Sequence, residues 1–120
     1  MIKLIPGLTI LVLASLLIGG CALVNQLLPN QPPVIISLTA EQTTVVRATT
    51  TTIECIASDP DGDKLSYIWS ASRGGISWEG SVATWVAPNA IGTYKITVTV
   101  TDDRGDQATQ SIEIEVTCCL

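Results

Sequence analysis

The chain has 120 residues, with 6 Lys and Arg against 11 Asp and Glu, and a formal net charge of −5 at pH 7. Nucleic-acid binding needs clustered basic residues that neutralise phosphates, so this charge balance argues against a nucleic-acid partner. The chain contains no histidine, which excludes Ser-His and Cys-His nucleophile pairs, and we expect no enzymatic activity.

The first 21 residues show the pattern of a signal for export. Lys3 is followed by the apolar stretch Leu4–Ile18, which is shorter than the about 20 residues of a membrane-spanning helix. Ile18-Gly19-Gly20-Cys21 then resembles a prokaryotic lipobox, whose cysteine thiol receives a diacylglyceryl group. We therefore expect a signal helix over residues 1–20, lipid on Cys21, and anchoring on the extracytoplasmic face of a prokaryotic membrane. The alternatives are an ordinary signal peptide and an uncleaved anchor.

A proline-rich segment follows this cysteine. Pro29, Pro32 and Pro33 prevent a helix from continuing, so we assign residues 21–33 to the lipidated cysteine and a linker. A linker of this length reaches at most about 40 Å when fully extended. The linker therefore keeps the predicted domain, residues 34–118, close to the membrane.

From residue 34 onward, apolar and polar residues alternate between clusters of turn-forming residues, which is typical of half-buried strands. We predict strands at Val34–Thr39, Thr51–Ser58, Leu65–Ser70, Ile76–Glu79, Ser81–Ala87, Tyr94–Thr101 and Ser111–Thr117. Residues 59–63 and 102–105 are predicted turns, and residues 41–47 a loop. About seven short strands without a helical period predict an all-β protein, an antiparallel β-sandwich.

Two stretches carry a resemblance to a known family. DPDGDKLSYIWS at residues 59–70 and GTYKITVTVTDDRG at residues 92–105 resemble PKD-like and cadherin-like members of the bacterial immunoglobulin-like domains. The resemblance implies an immunoglobulin-like sandwich in which Trp69 is a core residue and Tyr94 forms a structural hydroxyl-to-backbone bond. PKD domains usually carry Trp-Asp-Phe-Gly-Asp-Gly where this chain has Trp-Ser-Ala-Ser-Arg-Gly at residues 69–74, so we adopt the broader immunoglobulin-like assignment.

In that fold, two acidic turns meet at the end of the sandwich where the first strand begins. Their carboxylates belong to Asp59, Asp61, Asp63, Asp102 and Asp103. One interpretation is a calcium site, because calcium takes six to eight oxygen ligands and some relatives bind it at the corresponding turn. The other interpretation is a pair of turns whose carboxylates accept backbone N–H bonds. We expect no other cofactor.

Trp78, which lies beside Glu79 and Gly80, is the tryptophan that we expect to be exposed. An exposed indole can stack on a sugar ring or anchor a protein contact. The alternative is that Trp78 covers an edge of the sandwich.

The cysteines leave their pairing open. With Cys21 acylated, three thiols remain, and one interpretation is a bridge from Cys55 to Cys118 or Cys119. Another interpretation pairs Cys118 and Cys119 with each other or between chains. Otherwise Cys55 is a small buried apolar residue.

These features predict a non-catalytic lipoprotein whose domain serves protein interaction, adhesion or envelope structure. Its expected partners are the membrane, through the lipid, and an unidentified protein or glycan. The alternative function is a calcium-dependent carbohydrate-binding module of the cell envelope, which an exposed Trp78 together with bound calcium would favour.

Overall fold

The structure is a computed structural model that describes residues 29–120. The predicted signal helix over residues 1–20, the lipidation site at Cys21 and most of the linker lie outside the described residues. Gln31–Leu120 form one compact unit. Within residues 29–120, no helix has the length and hydropathy needed to cross a membrane.

The described residues form an all-β sandwich of two four-stranded sheets. Sheet A has the order β1-β3-β6-β5 and sheet B the order β2-β8-β7-β4. Neighbouring strands are antiparallel, except that β2 pairs with β8 in parallel. The strands are β1 (Val34–Ala40), β2 (Thr44–Val46), β3 (Thr50–Ser58), β4 (Ser66–Ala71), β5 (Gly75–Glu79), β6 (Val82–Val86), β7 (Gly92–Thr101) and β8 (Gln107–Thr117).

The fold confirms the predicted sandwich and corrects one element. The seven predicted strands are present with shifted ends, but residues 41–47, predicted as a loop, contain the strand β2. This strand has three residues, and its partner β8 lies far along the chain, with Thr44 opposite Glu115. Alternation over so few residues is too weak a signal, yet the pairing leaves Val45 only 1% exposed.

The core lies between the sheets and is built from the inward-facing residues of alternating strands. Its largest fully buried side chains belong to Trp85, Ile53, Ile96, Ile114, Val45, Val98, Val100, Val116 and Cys55. Burying one large aliphatic side chain contributes roughly 1.5–3 kcal/mol. The buried residues of β7 and β8 are the apolar members of the alternation in the sequence, as are Ile53 and Cys55 of β3.

Two buried indoles bond to backbone carbonyls on either side of β5. Trp85 Nε1–H donates to the carbonyl of Arg73 at 2.8 Å, just before β5. Trp69 Nε1–H donates to the carbonyl of Gly80 at 3.0 Å, just after it. A buried donor left unpaired costs about 1–3 kcal/mol, so these bonds hold both ends of β5 against the core.

Tyr94 joins this arrangement from sheet B. Its ring centroid lies 6.0 Å from that of Trp85. Its hydroxyl donates to the carbonyl of Ala90 at 2.8 Å, which confirms the predicted structural bond.

The loop before β5 passes so close to Trp85 that only glycine fits at residue 74. Gly74 has a φ of +87°, and a Cβ there would lie 2.3 Å from the carbonyl oxygen of Val86 and 2.8 Å from Trp85 Nε1. Gly105, in the turn between β7 and β8, has a similar φ of +91° but open space around the same position. Both glycines therefore have a strained backbone for any other residue, but only Gly74 also lacks the space for a side chain.

We expect Gly74→Ala to lower the free energy of unfolding by about 3 kcal/mol or more, because it adds a steric clash to the strain of a positive φ. Gly105→Ala is the matched control and loses about 1 kcal/mol, from the strain alone. Urea unfolding followed by tryptophan fluorescence measures both. Equal losses in the two variants would show that the loop does not press on Trp85.

Candidate functional site

The strand register brings the two acidic turns to one end of the sandwich. Val34 at the start of β1 pairs with Ser58 at the end of β3. Ser66 at the start of β4 pairs with Thr101 at the end of β7. The turns at residues 59–63 and 102–106 follow β3 and β7, so they lie together at the end where β1 begins, as the fold predicts.

Each turn is closed by the first aspartate in it. Asp59 Oδ1 accepts the backbone N–H of Asp61 at 2.8 Å and that of Asp63 at 3.2 Å. Asp102 Oδ1 accepts the N–H groups of Arg104 and Asp106, both at 2.9 Å. These bonds are the ones that Asp side chains supply in turns, and they favour the turn interpretation for one oxygen of each carboxylate.

The outer aspartates bond to backbone beyond their own turns. Asp61 Oδ2 accepts the N–H of Gln31 at 2.8 Å, which ties the first turn to the chain that leads into β1. Asp103 Oδ2 accepts the N–H of Lys64 at 3.3 Å, which ties the second turn to the first.

Three of the five predicted aspartates converge. Asp59, Asp63 and Asp102 each place one carboxylate oxygen within 4.8 Å of the others. Asp59 Oδ2 and Asp63 Oδ2 are buried and make no hydrogen bond within residues 29–120, and Asp63 Oδ2 lies 3.5 Å from Nε of Arg104. This donor set fits a hard cation, with Asp61 and Asp103 occupied by backbone N–H groups instead.

Burial raises the pKa of the Asp63 carboxyl above its ordinary value. The positive charge of Arg104 opposes this shift, and the negative charges of Asp59 and Asp102 add to it. The arrangement therefore disfavours the ionised form of the Asp63 carboxyl unless a further positive charge lies beside it.

Trp78 has the exposure that the sequence predicts. It is 44% exposed, whereas Trp69 is 2% and Trp85 0% exposed. The residue also borders an open depression of about 440 Å³, whose other lining residues are Ser77, Glu79, Val82 and Thr84. All of these residues lie on β5 and β6, so the depression shares no residue with the acidic turns.

The predicted bridge between Cys55 and Cys118 is not formed in the structure. Cys55 is buried, and burial raises the pKa of its thiol, whereas Cys118 is exposed beyond β8. Thr117 pairs with Val46, before β3 begins, and Cys55 lies five residues into β3, a rise of about 16 Å. A disulfide needs Cα atoms within about 7 Å, which this register does not provide.

Cys118 lies beside Cys119 instead, with 2.7 Å between the two Sγ atoms. The hydrogen bond from Cys119 lowers the pKa of the Cys118 thiol. Both thiols are exposed, so they make no contribution to the core.

Comparisons with known proteins agree with this architecture. A family model described as "Bacterial Ig domain" matches residues 30–115. The pre-pro-metalloprotease PrtV of Vibrio cholerae is 43% identical over 60 residues, which cover 50% of this chain and 6% of that protein. The chain therefore spans a small fraction of this curated relative.

Solved structures show the same fold. The PKD1 domain of Vibrio anguillarum Epp superposes with a TM-score of 0.60 at 26% identity, over 76% of this chain and all of that one. The PKD domain of an M14-like peptidase from a Thermoplasmatales archaeon gives a TM-score of 0.63 at 22% identity, over 73% of this chain and 98% of that one.

The raised pKa of Asp63 has a direct consequence for stability in EDTA. The folded state binds a proton at this carboxyl more tightly than the unfolded state does. The free energy of unfolding therefore falls as the pH rises from the ordinary pKa of the carboxyl through its raised pKa in the folded state. We expect Asp63→Asn to raise the melting temperature at pH 7.

At pH 3, where the carboxyl is protonated in both states, the difference between Asp63→Asn and wild type should vanish. Circular dichroism melts at the two pH values measure this, and the low-pH melt is the internal control. A variant that is less stable than wild type at pH 7 would contradict the predicted repulsion.

Proposed function

The chain belongs to the bacterial Ig domain family, and we propose that it is a non-catalytic interaction module that works outside the cytoplasm. Its relatives support this setting, because the matched region of PrtV is a small part of a pre-pro-metalloprotease, and the PKD domain of the M14-like peptidase is likewise one part of a larger enzyme. A fold does not by itself specify a function, which depends on the surface that this chain presents.

The proposal rests on the apolar side chains that are exposed on the outer face of sheet A. Alternation along β3 and β6 buries one face and leaves Ile56, Val82 and Val86 exposed on the other. Ile36, at the register shift in β1, is 64% exposed. Apolar side chains exposed on one sheet face are candidates for a protein interaction surface.

A lipid anchor at Cys21 would keep this surface near the membrane. We infer that lipid on Cys21 and the proline-rich segment after it hold the domain at the extracytoplasmic side. The chain enters the domain at the acidic end, where β1 begins.

Crosslinking in native membranes tests the proposed function. We expect the full chain, expressed in its host and crosslinked before solubilisation, to enrich a specific protein partner over an unrelated lipoprotein of similar abundance. The variant Cys21→Ser is the control for the anchor and should move to the membrane-free fraction. If nothing is enriched over the unrelated lipoprotein, the proposed interaction role is wrong.

Calcium binding is a second candidate function, favoured by the convergence of Asp59, Asp63 and Asp102 and by the two buried oxygens without hydrogen bonds. An ion there would supply the missing positive charge and would stiffen the turn that binds Gln31. Trp78 lies about five residues along the strands from these turns, roughly 15 Å away, so an ion held there would not touch a sugar stacked on the indole. The arrangement thus supports a structural calcium ion better than a calcium-dependent carbohydrate site.

We expect 5 mM calcium to raise the melting temperature of the full chain relative to EDTA, because a ligand that binds the folded state alone stabilises it by about 2.7 kcal/mol at 100 times its Kd. Asp59→Asn should remove the shift. Glu113→Gln, on sheet B, is the control and should keep it. The absence of a calcium-dependent shift in the wild-type chain would leave the turn interpretation as the correct one.

A further inference from the structure

The four edge strands of the sandwich are not equivalent. Sheet A ends at β1 and β5, and sheet B ends at β2 and β4. The register shift between Ile35 and Ser37 interrupts β1, and β2 has only three residues. Bulges and short strands are ordinary ways to keep an edge from pairing with another chain, so β4 and β5 are the regular edges.

The side chains distinguish these two edges. Trp69, which points inward from β4, is 2% exposed, so the core beside that edge is covered. Trp78 pairs with the fully buried Ala83 and therefore lies on the core side of β5, yet it is 44% exposed. The inner face of sheet A thus ends at β5 with a large apolar side chain that no further strand of the described residues covers.

The backbone of β5 is in the right register to extend the sheet. Glu79 and Val82 flank the two-residue turn Gly80-Ser81, in which Gly80 has a φ of +58°, as a type II′ hairpin requires. The two residues that flank such a turn, here Glu79 and Val82, form a hydrogen-bonded pair. Hydrogen-bonded and non-hydrogen-bonded pairs alternate along an antiparallel ladder, so the N–H and C=O groups of Trp78 and Ile76 point away from β6. These groups form the free edge of the sheet.

The edge is also held in place before any partner binds. The indole bonds of Trp85 to Arg73 and of Trp69 to Gly80 fix the backbone on both sides of β5. A strand that is already ordered loses little conformational entropy on binding, which favours affinity.

The charges of sheet A specify the kind of partner. Its four strands contain only two charged residues, Glu54 and Glu79, and both pair with Val82 on the outer face. Glu79 lies on β5 itself, so the outer-face residue of a strand added there would lie directly beside its carboxylate. The complementary residue at that position is Lys or Arg.

We propose that β5 accepts an extended segment of a partner protein as a fifth strand of sheet A, with apolar residues against Trp78 alternating with Lys or Arg beside Glu79. This proposal deepens the proposed function, on which it rests, by naming the edge and the chemistry of the segment. Main-chain hydrogen bonds to Ile76 and Trp78 provide the pairing, and the two side chains provide the preference for a basic, apolar alternation.

Two peptides of equal length and strand propensity test it. The probe is Ac-TVKVKVT-NH2 and its matched control Ac-TVEVEVT-NH2, each titrated into the 15N-labelled full chain in non-ionic detergent. We expect the lysine peptide to shift the amide signals of residues 75–79 and to slow hydrogen exchange at Ile76 and Trp78. The glutamate peptide should bind at least about tenfold more weakly, because its charge repels Glu79.

Three variants locate the contact. Trp78→Ala and Glu79→Lys should each weaken the lysine peptide about tenfold, since they remove the apolar anchor and reverse the charge. Ile68→Ala, at the exposed outer face of β4, should leave its affinity unchanged. Dispersed amide spectra confirm that each variant is folded.

Several results would overturn the inference. In the titrations, these are equal affinity for the two peptides, shifts that map to β4, and an unchanged affinity in Glu79→Lys. Binding of cellohexaose at Trp78 in place of the peptide, or a concentration-dependent dimer through β5 in sedimentation, would also contradict it. If native membranes yield a partner that Glu79→Lys still captures, the interaction module stands and the strand-addition inference fails.

Discussion

The burial of Trp85 is the constraint on which the surrounding structure depends. Its side chain is the largest of the fully buried ones, and its one N–H group needs an acceptor that water cannot supply there. The carbonyl of Arg73 provides that acceptor, so the loop before β5 must pass directly over the ring. This passage leaves no room for a side chain at Gly74 and fixes where β5 begins.

The position of the candidate docking edge follows from the same constraint. β5 is joined to β6 by a two-residue turn and to the core by the indole bonds at both of its ends. It has no outer neighbour in sheet A. Trp78 is therefore exposed because the strand that carries it is the last in the sheet, and the rigid backbone holds its indole in one place.

The acidic end shows how one set of carboxylates serves structure and remains suited to an ion. Asp59 and Asp102 each use one oxygen to close a turn. Asp59 also belongs to the convergent set, in which its Oδ2 and that of Asp63 are buried without a hydrogen bond from the described residues. Sequence reasoning could identify these aspartates from their turn spacing. It could not separate the converging residues from Asp61 and Asp103, because that depends on how the two turns meet.

The amino-acid sequence alone determined the strands with long alternation, the inward faces of β3 and β7 and the exposure of Trp78, while its family resemblance implied the bond of Tyr94. Alternation and turn composition are local signals, and they suffice where a strand is long enough to repeat them. Tertiary structure alone decided the short strand β2, the separation of Cys55 from Cys118 and the status of β5 as a free edge. Each of these depends on which distant strands become neighbours, and that choice is made by the packing of the two sheets around one core.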